Sequence, residues 1–267
     1  MKTRLLIVGG VAGGATAAAR ARRLDESAEI ILFERGEYIS FANCGLPYYI
    51  GDIIKNRDDL FLTTAEDFSK RYNIDVRIQS EVLSINRKNK ELSVKNILSD
   101  EIYIEKYDKI ILSPGAEPFK PPLEGITDER IFTLRNIPDS DRIKKYVDSM
   151  KPKKAVIVGG GFIGLEMAEN LVKRGINLTI VEMLNQVMAP IDYEIAAIIH
   201  RELIDKGVVL ELENGVNSFS KNGSLITVVT TKGKKIDCDM VIMSIGVHPE
   251  NNLAKESGLE IGNRGGI

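Results

Sequence analysis

The apolar positions of this chain form two similar patterns, each of which predicts a strand, a tight turn, a helix and a second strand. Short apolar runs that end in glycines are typical of buried strands entering a turn, and the stretches after the turns have helical periodicity. The segments are 5–8, 9–14, 15–24 and 30–34 in the first pattern and 155–158, 159–164, 165–174 and 178–182 in the second.

Each pattern closes with a glutamate at the spacing of a dinucleotide-binding βαβ unit. Glu34 follows Gly14 by 20 residues and Glu182 follows Gly164 by 18, against about 20 in that fingerprint. Two such units predict an α/β fold of two Rossmann-like nucleotide-binding domains, each three-layered around a parallel central sheet.

The repeat extends beyond the turns. Segments 108–118 and 239–249 share Asp, Ile, Ser, Gly and Pro in register, so both units end with a strand and a glycine. The proline-rich segment 114–122 and the segment 151–154 are candidate hinges between the units. Further strand-like runs lie at 75–78, 91–94 and 225–230, and helical patterns lie at 64–72 and 193–206.

Composition narrows the classes of function. A formal charge of -2 over 267 residues gives no reason to expect a nucleic-acid partner, and no run of 18 apolar residues predicts a membrane-spanning helix. Two cysteines are too few for a disulfide scaffold or a zinc site, so we expect no metal. The start of the chain superficially resembles a secretory signal, but four glycines within 5–19 favour a turn, and we expect a cytoplasmic protein.

The glycine turns carry a specific chemistry. Glycines let the backbone approach a pyrophosphate, the following helix presents free N–H groups to it, and the acid accepts from ribose hydroxyls. Gly161 supplies the middle glycine of the second turn, whereas the first has Val11 there. Glu182 favours NADH over NADPH because a carboxylate repels a 2′-phosphate, a preference that Lys173 or Arg174 would soften.

Cys44 is the candidate redox residue. Two nucleotide units in tandem suggest that a nicotinamide passes electrons to a flavin, and a third redox group would then lie near the first unit. Cys44 follows Glu34 by ten residues in a polar segment, and a helix starting with Pro47 in its first turn would stabilise the thiolate. The other candidates, Cys238, His200 and His248, are interpreted as structural.

These residues resemble a known family, the flavin-dependent pyridine nucleotide–disulfide oxidoreductases. Within it the chain is similar to the single-cysteine branch of coenzyme A disulfide reductases, polysulfide reductases and NADH oxidases. The most specific likeness is the segment 40–49, SFANCGLPYY, together with 9–14, 113–116 and 246–249. Relatives with two redox cysteines have the second where this chain has Tyr49.

The resemblance implies a reaction and its cofactors. NADH at the second unit would reduce FAD at the first, and the electrons would reach Cys44, which alternates between a thiolate and a mixed disulfide with a small thiol such as coenzyme A. The implied FAD residues are Gly9, Gly10, Val11, Ala12, Gly13, Gly14, Glu34, Arg35, Asn43, Ser113, Pro114, Gly115 and Ala116. The implied NAD(P)H residues are Gly159, Gly160, Gly161, Phe162, Ile163, Gly164, Glu182 and Gly246.

The implied substrate residues are Thr16, Arg20, Arg23, Ser40 and Asn43, with Arg71 added because arginine suits the phosphates of coenzyme A. For the arginines, a solvated basic helix face is the alternative. Two other reactions remain open at Cys44: reduction of polysulfide or persulfide, and reduction of oxygen through a sulfenic acid.

The resemblance also predicts how the domains divide. The expected division is a first FAD-binding segment at 1–121, an NAD(P)H-binding domain at 122–245 inserted into it, and a return segment at 246–267. Resembling proteins continue with a flavin-gripping strand and a dimerisation domain, so a truncated chain and a homodimeric intact protein are expected. A nucleotide-binding fragment without turnover is the competing reading.

Overall fold

The computed structural model describes residues 2–267, which cluster into two compact units. The first unit contains the chain up to Ala42 together with Leu60–Glu117 and His248–Ile267. The second contains Asn43–Asp59 and Pro118–Val247. Each unit is therefore assembled from separate stretches of sequence.

Within residues 2–267 the strands β1 to β17 are, in chain order, Arg4–Val8, Glu29–Phe33, Asp75–Arg77, Ser80–Asn86, Glu91–Asn96, Ile102–Lys106, Lys109–Leu112, Ala116–Pro118, Ile131–Phe132, Lys154–Val158, Asn177–Val181, Val209–Glu211, Val216–Asn222, Leu225–Thr230, Lys235–Cys238, Met240–Met243 and Val247–Pro249. The helices α1 to α7 are Gly13–Leu24, Leu46–Ile50, Ala65–Tyr72, Ile137–Met150, Phe162–Lys173, Tyr193–Asp205 and Asn252–Glu256. Short 3₁₀ turns lie at Asn43–Gly45 and Arg57–Leu60.

The first unit is built on a four-stranded sheet in the order β3-β2-β1-β7, whose neighbours are all parallel. Alternate side chains of a strand point to opposite faces. Ile7 and Leu32 accordingly pack towards α1 and α3 on one face. Leu6 and Phe33 pack on the other face against the antiparallel sheet β4-β5-β6. The sheet is thus the middle of three layers.

The second unit repeats this arrangement. Its parallel sheet has the order β12-β11-β10-β16-β9, and a three-stranded antiparallel sheet β13-β14-β15 accompanies it. Val156 and Val158 of β10 share a buried cluster with Phe219 and Val228 of the antiparallel sheet. The predicted α/β class with parallel central sheets is confirmed, and the predicted helices at 64–72 and 193–206 are α3 and α6.

The segment Asn43–Asp59 clusters with the second unit, although the residues on either side of it, up to Ala42 and from Leu60, cluster with the first. The physical reason is that α2 packs on α4 and α5, and that Arg57 forms an ion pair with Asp141. The expected division into FAD-binding and NAD(P)H-binding segments stays a prediction. No helix between residues 2 and 267 is long and apolar enough to cross a lipid bilayer.

Candidate functional site

The first glycine of each turn has a positive φ angle. Gly9 has φ +96° and Gly159 has φ +101°, a region that L-residues with side chains rarely adopt. The last glycine of each turn is fixed by contact instead, because a Cβ on Gly14 would overlap the carbonyl oxygen of Gly9. Gly164 stands in the same relation to Gly159. These four positions accept only glycine without rearrangement.

The middle of the turn is open in the second unit. A Cβ on Gly161 would meet no atom within 4 Å, so this face of the turn can be approached closely. Within residues 2–267, the amides of Gly161 and Phe162 donate to no acceptor, nor do those of Val11 and Ala12 in the first unit. Free amides at the start of a helix suit a pyrophosphate, so both turns fit a dinucleotide.

The acid at the end of the second strand is held beside each turn. The Glu34 carboxylate accepts from the amides of Gly10 and Gly36, both at 2.7 Å. Glu182 accepts in the same way from Gly160 at 2.7 Å and from Leu184 at 2.9 Å. A carboxylate has lone pairs for further donors, so each acid is oriented by the backbone and can still accept ribose hydroxyls.

Further backbone bonds repeat between the units. The amide of Ser113 donates to Val8 O, and that of Ser244 donates to Val158 O, both at 2.8 Å. Ser40, which has φ +46°, donates its amide to Gly10 O. Met188, which has φ +52°, donates to Gly160 O. Sequence reasoning missed Met188, because nothing in the residue type signals a left-handed backbone.

The remaining predicted nucleotide residues also have defined places. Gly115 has φ +82° and leads into β8 at Ala116, and Gly246 has φ +119° with open space around it. Arg35 lies within an acidic group, at 2.9 Å from Glu117 and 3.7 Å from Glu81. Its guanidinium is thus oriented by carboxylates of its own unit.

Cys44 is an exposed thiol in the 3₁₀ turn Asn43–Gly45. The five-residue helix α2 begins two residues later, with Gly45 as its N-cap and Pro47 in its first turn, as the sequence predicts. Asn43, predicted to bind both FAD and substrate, is likewise exposed in this turn. Tyr49, which stands where relatives have a second cysteine, is buried.

The helix α1 carries one arginine that is hydrogen-bonded to the backbone and two that are exposed. Arg22 donates to the backbone carbonyls of Asp25, Glu26, Ala28, Tyr72 and Asn73, which ties the end of α1 to the end of α3. Arg20 and Arg23 are exposed and form no hydrogen bond or ion pair with any residue from 2 to 267. Together with the exposed Thr16 they lie at i, i+4 and i+7, and so share one face of the helix.

The other two predicted substrate residues lie in the same unit. Arg71 is exposed near the end of α3, with its guanidinium 5.4 Å from the ring centroid of Tyr72. It therefore lies at the helix end that Arg22 holds against α1. Ser40 is partly buried, and its carbonyl accepts from Leu62 at 3.0 Å.

Cys238 and His200 are both buried in the second unit. Cys238 is 1% exposed in the core of the second unit, and burial raises the pKa of its thiol to about 12. The Nε2 atom of His200 accepts the amide of Val187 at 3.1 Å, and burial lowers the pKa of this imidazole. His248 lies exposed on β17.

Comparison with known proteins gives concordant matches. The pattern of the pyridine nucleotide-disulphide oxidoreductase family matches residues 3–267. A curated coenzyme A disulfide reductase of Staphylococcus haemolyticus is 37% identical over 263 residues, which cover 98% of this chain and 58% of that protein.

Two solved structures extend the comparison. The crystal structure of reduced CoADR-RHD from Bacillus anthracis has a TM-score of 0.96 and 54% identity, covering 99% of this chain and 47% of that one. The NAD-dependent persulfide reductase from A. fulgidus has a TM-score of 0.94 and 34% identity, covering 99% and 49%. The chain thus spans about half to three fifths of the length of these relatives.

Proposed function

Because the chain belongs to the pyridine nucleotide-disulphide oxidoreductase family, we propose that it reduces a small disulfide through Cys44 with electrons from a nicotinamide nucleotide. The observation that carries this proposal is a single exposed cysteine in a chain with two nucleotide-type turns, where Tyr49 replaces a partner thiol and Cys238 is buried. The 37% identity to a coenzyme A disulfide reductase supports it.

The family depends on FAD and a pyridine nucleotide. We assign FAD to the first turn with Glu34 and to 113–116, and NADH to the second turn with Glu182 and Gly246. When bound, the two cofactors supply hydride transfer and the electron pair for disulfide reduction. The chain contributes free turn amides to the phosphates and two oriented carboxylates to the riboses. We favour NADH over NADPH because the Glu182 carboxylate repels a 2′-phosphate.

The role of Cys44 follows from its isolation. Its thiolate attacks one sulfur of the substrate, the S–S bond breaks, and one thiolate leaves while a mixed disulfide forms. Two electrons and a proton then cleave the mixed disulfide, which releases the second thiol and restores the Cys44 thiolate. An internal disulfide has no place in this cycle because Cys238, the other cysteine, is buried in the core of the second unit.

Coenzyme A disulfide is the substrate we favour. The exposed face with Thr16, Arg20 and Arg23, together with Arg71, offers uncommitted cations to phosphates. Ser40 and Asn43 precede Cys44 in the sequence by four residues and one residue. Persulfide is the second candidate, favoured by the 34% identity to the A. fulgidus reductase. We also propose that the protein is cytoplasmic and homodimeric.

The test is anaerobic oxidation of NADH by the FAD-supplemented protein, with coenzyme A disulfide or a persulfide as sole acceptor. Cys44→Ser removes the nucleophile, so we expect the rate to fall by at least about 100-fold with either acceptor. Cys238→Ser is the matched control and should retain turnover. Full disulfide reduction by Cys44→Ser would refute the proposal, and the preferred acceptor of the unmodified protein decides between the two substrates.

A further inference from the structure

The short helix after Cys44 depends on the second unit for its stability. Five residues are too few for a helix to persist alone in water, and α2 spans only Leu46–Ile50. Leu46, Tyr49 and Ile50 are buried, and α2 packs on α4 and α5. Whatever fixes α2 on these helices also fixes the turn that carries Cys44.

An ion pair joins the end of this segment to α4. The guanidinium of Arg57 donates from Nε to both carboxylate oxygens of Asp141, at 3.0 and 2.9 Å, and from Nη2 at 2.8 Å. Such a bidentate pair fixes the direction of both side chains as well as their distance. It links residues 84 positions apart in the chain.

Lys144, also on α4, makes a second connection. Its Nζ lies 3.2 Å from Asp52 Oδ1 and 5.2 Å from the centroid of the Tyr49 ring. Only 15% of the Lys144 side chain is exposed, so its position is well defined. Hydrogen bonds from Lys55 and Lys144 lower the pKa of Asp52 to about 2, which keeps the carboxylate charged at neutral pH.

The third connection is made at the end of α5, by Arg174, the residue that follows the helix. Arg174 donates from Nη1 to Ile50 O at 3.2 Å and pairs through Nη2 with Asp148 of α4. Next to it, Asn170 Oδ1 occupies the space that a Cβ on Gly51 would need. That oxygen is buried and accepts no hydrogen bond in the described chain.

We propose that Arg57, Asp141 and Lys144 are positioning residues for Cys44: they hold α2 on the second unit and thereby fix the turn from which the thiol reacts. The inference rests on the proposed function for its biological meaning. Its physical content, that these contacts set the reactivity of Cys44, is tested without turnover.

The test compares matched variants of two arginine–aspartate pairs. Arg57→Gln and Asp141→Asn break the proposed positioning pair. Arg201→Gln and Asp205→Asn break an exposed pair on α6 of the same unit. For each, the rate of Cys44 alkylation by iodoacetamide is measured as a function of pH, with hydrogen exchange of peptide 43–53 and the thermal midpoint.

The two substitutions remove charges of opposite sign, which distinguishes a loss of positioning from a direct electrostatic effect on the Cys44 thiolate. Arg57→Gln removes a positive charge and Asp141→Asn a negative one, so a direct electrostatic influence on the thiolate would act in opposite directions. Loss of positioning acts in the same direction in both. We expect faster exchange in 43–53 for both variants and a change in alkylation rate of at least about threefold, with the same sign, because small displacements alter reactivity strongly.

A charge-swapped variant, Arg57→Asp with Asp141→Arg, should recover most of the original rate. Lys144→Gln leaves the pair intact and provides the second test if the pair variants fail to fold. It should likewise change the alkylation rate of Cys44 and speed hydrogen exchange in 43–53. Unchanged alkylation and exchange in folded variants would overturn the proposal, as would changes of opposite sign. A Cys44→Ser enzyme that still turned over would refute the proposed function and leave this result standing.

Discussion

At the scale of single residues, glycines of one motif serve different purposes. Gly164 is required by the fold, because a methyl group there would meet Ser244 Oγ at 2.8 Å and overlap the Gly159 carbonyl. Gly161 has ordinary backbone angles, with φ −81°, and open space where a Cβ would lie. The sequence motif presents both as the same requirement, whereas the structure leaves no room for a side chain at Gly164 and open space at Gly161.

This difference is testable with two alanine substitutions. Gly164→Ala should lower the free energy of unfolding by about 1–3 kcal/mol, as overpacking does. Gly161→Ala should change it by less than about 0.5 kcal/mol and weaken NADH binding instead, because the methyl group takes the space of the pyrophosphate. Urea unfolding and NADH titration of both variants provide the comparison. Normal NADH affinity in Gly161→Ala would contradict the assignment of the second turn.

At the scale of elements, charges hold the layers of the first unit together. Glu105 of β6 is 9% exposed and pairs with Arg4 of β1 and Arg77 of β3, both at 2.5 Å. The Arg77 guanidinium also lies 5.5 Å from the centroid of the Phe33 ring. One carboxylate thus connects the antiparallel sheet with two strands of the parallel sheet.

Removing this carboxylate should cost stability in a pH-dependent way. Burial acts to raise the pKa of Glu105, but the ion pairs with Arg77 and Arg4 outweigh it and lower the pKa. The contribution of the Glu105 carboxylate to the free energy of unfolding is therefore complete above the unfolded-state pKa of about 4.3. It is lost as the pH falls through the folded-state pKa. Glu105→Gln should lower the free energy of unfolding by about 2 kcal/mol at pH 7, as expected for hydrogen bonds to a charged group, and by progressively less in acid.

Urea unfolding at pH 7 and in acid provides the measurement. Glu91→Gln on the neighbouring strand is the control, since its 4.0 Å pair with the exposed Lys106 should contribute less than about 0.5 kcal/mol. A Glu105→Gln deficit that stayed constant across the pH range would show that the carboxylate acts through packing alone.

Most helices and strands could be predicted from residues that are near one another in sequence. Features that depend on pairs of residues far apart in sequence could not. The glycine turns, the acids at 34 and 182, and the helix α3 depend on residues near in sequence, and they were predicted to within a few positions. The packing of 43–59 on α4 includes the pair of Arg57 with Asp141, which lie 84 residues apart in the chain, so no local signal predicts it. Glu105 reads as a surface charge in sequence, and its burial depends on arginines 101 and 28 residues distant.

At the scale of the whole molecule, the two cysteines differ in exposure, so labelling of one detects the native protein and labelling of the other detects its opening. Cys44 is exposed, whereas Cys238 lies in the core of the second unit with its pKa raised to about 12 by burial. At pH 8 the native protein should therefore offer one reactive thiol. The second thiol becomes available only when the second unit opens.

In the Cys44→Ser variant, thiol labelling should then measure the opening of the second unit alone. We expect no labelling of Cys238 in native buffer over hours and a steep rise with urea through the unfolding transition. The Cys238→Ser protein should label immediately at any urea concentration. Labelling of Cys238 at a rate independent of urea would show that its core position is transiently open in the native state.

The recurrence of the same backbone bonds in both units has a practical consequence. The bonds of Gly9 to Phe33 O and of Gly159 to Val181 O, at 2.8 and 2.9 Å, are made by main-chain atoms, so they persist although the side chains around them differ. The turns 9–14 and 159–164 therefore share main-chain bonds while differing at Val11 and Gly161. A graft of the turn 159–164 onto the first unit should keep the bond to Phe33 O, because that bond uses no side-chain atom, and would replace Val11 with glycine.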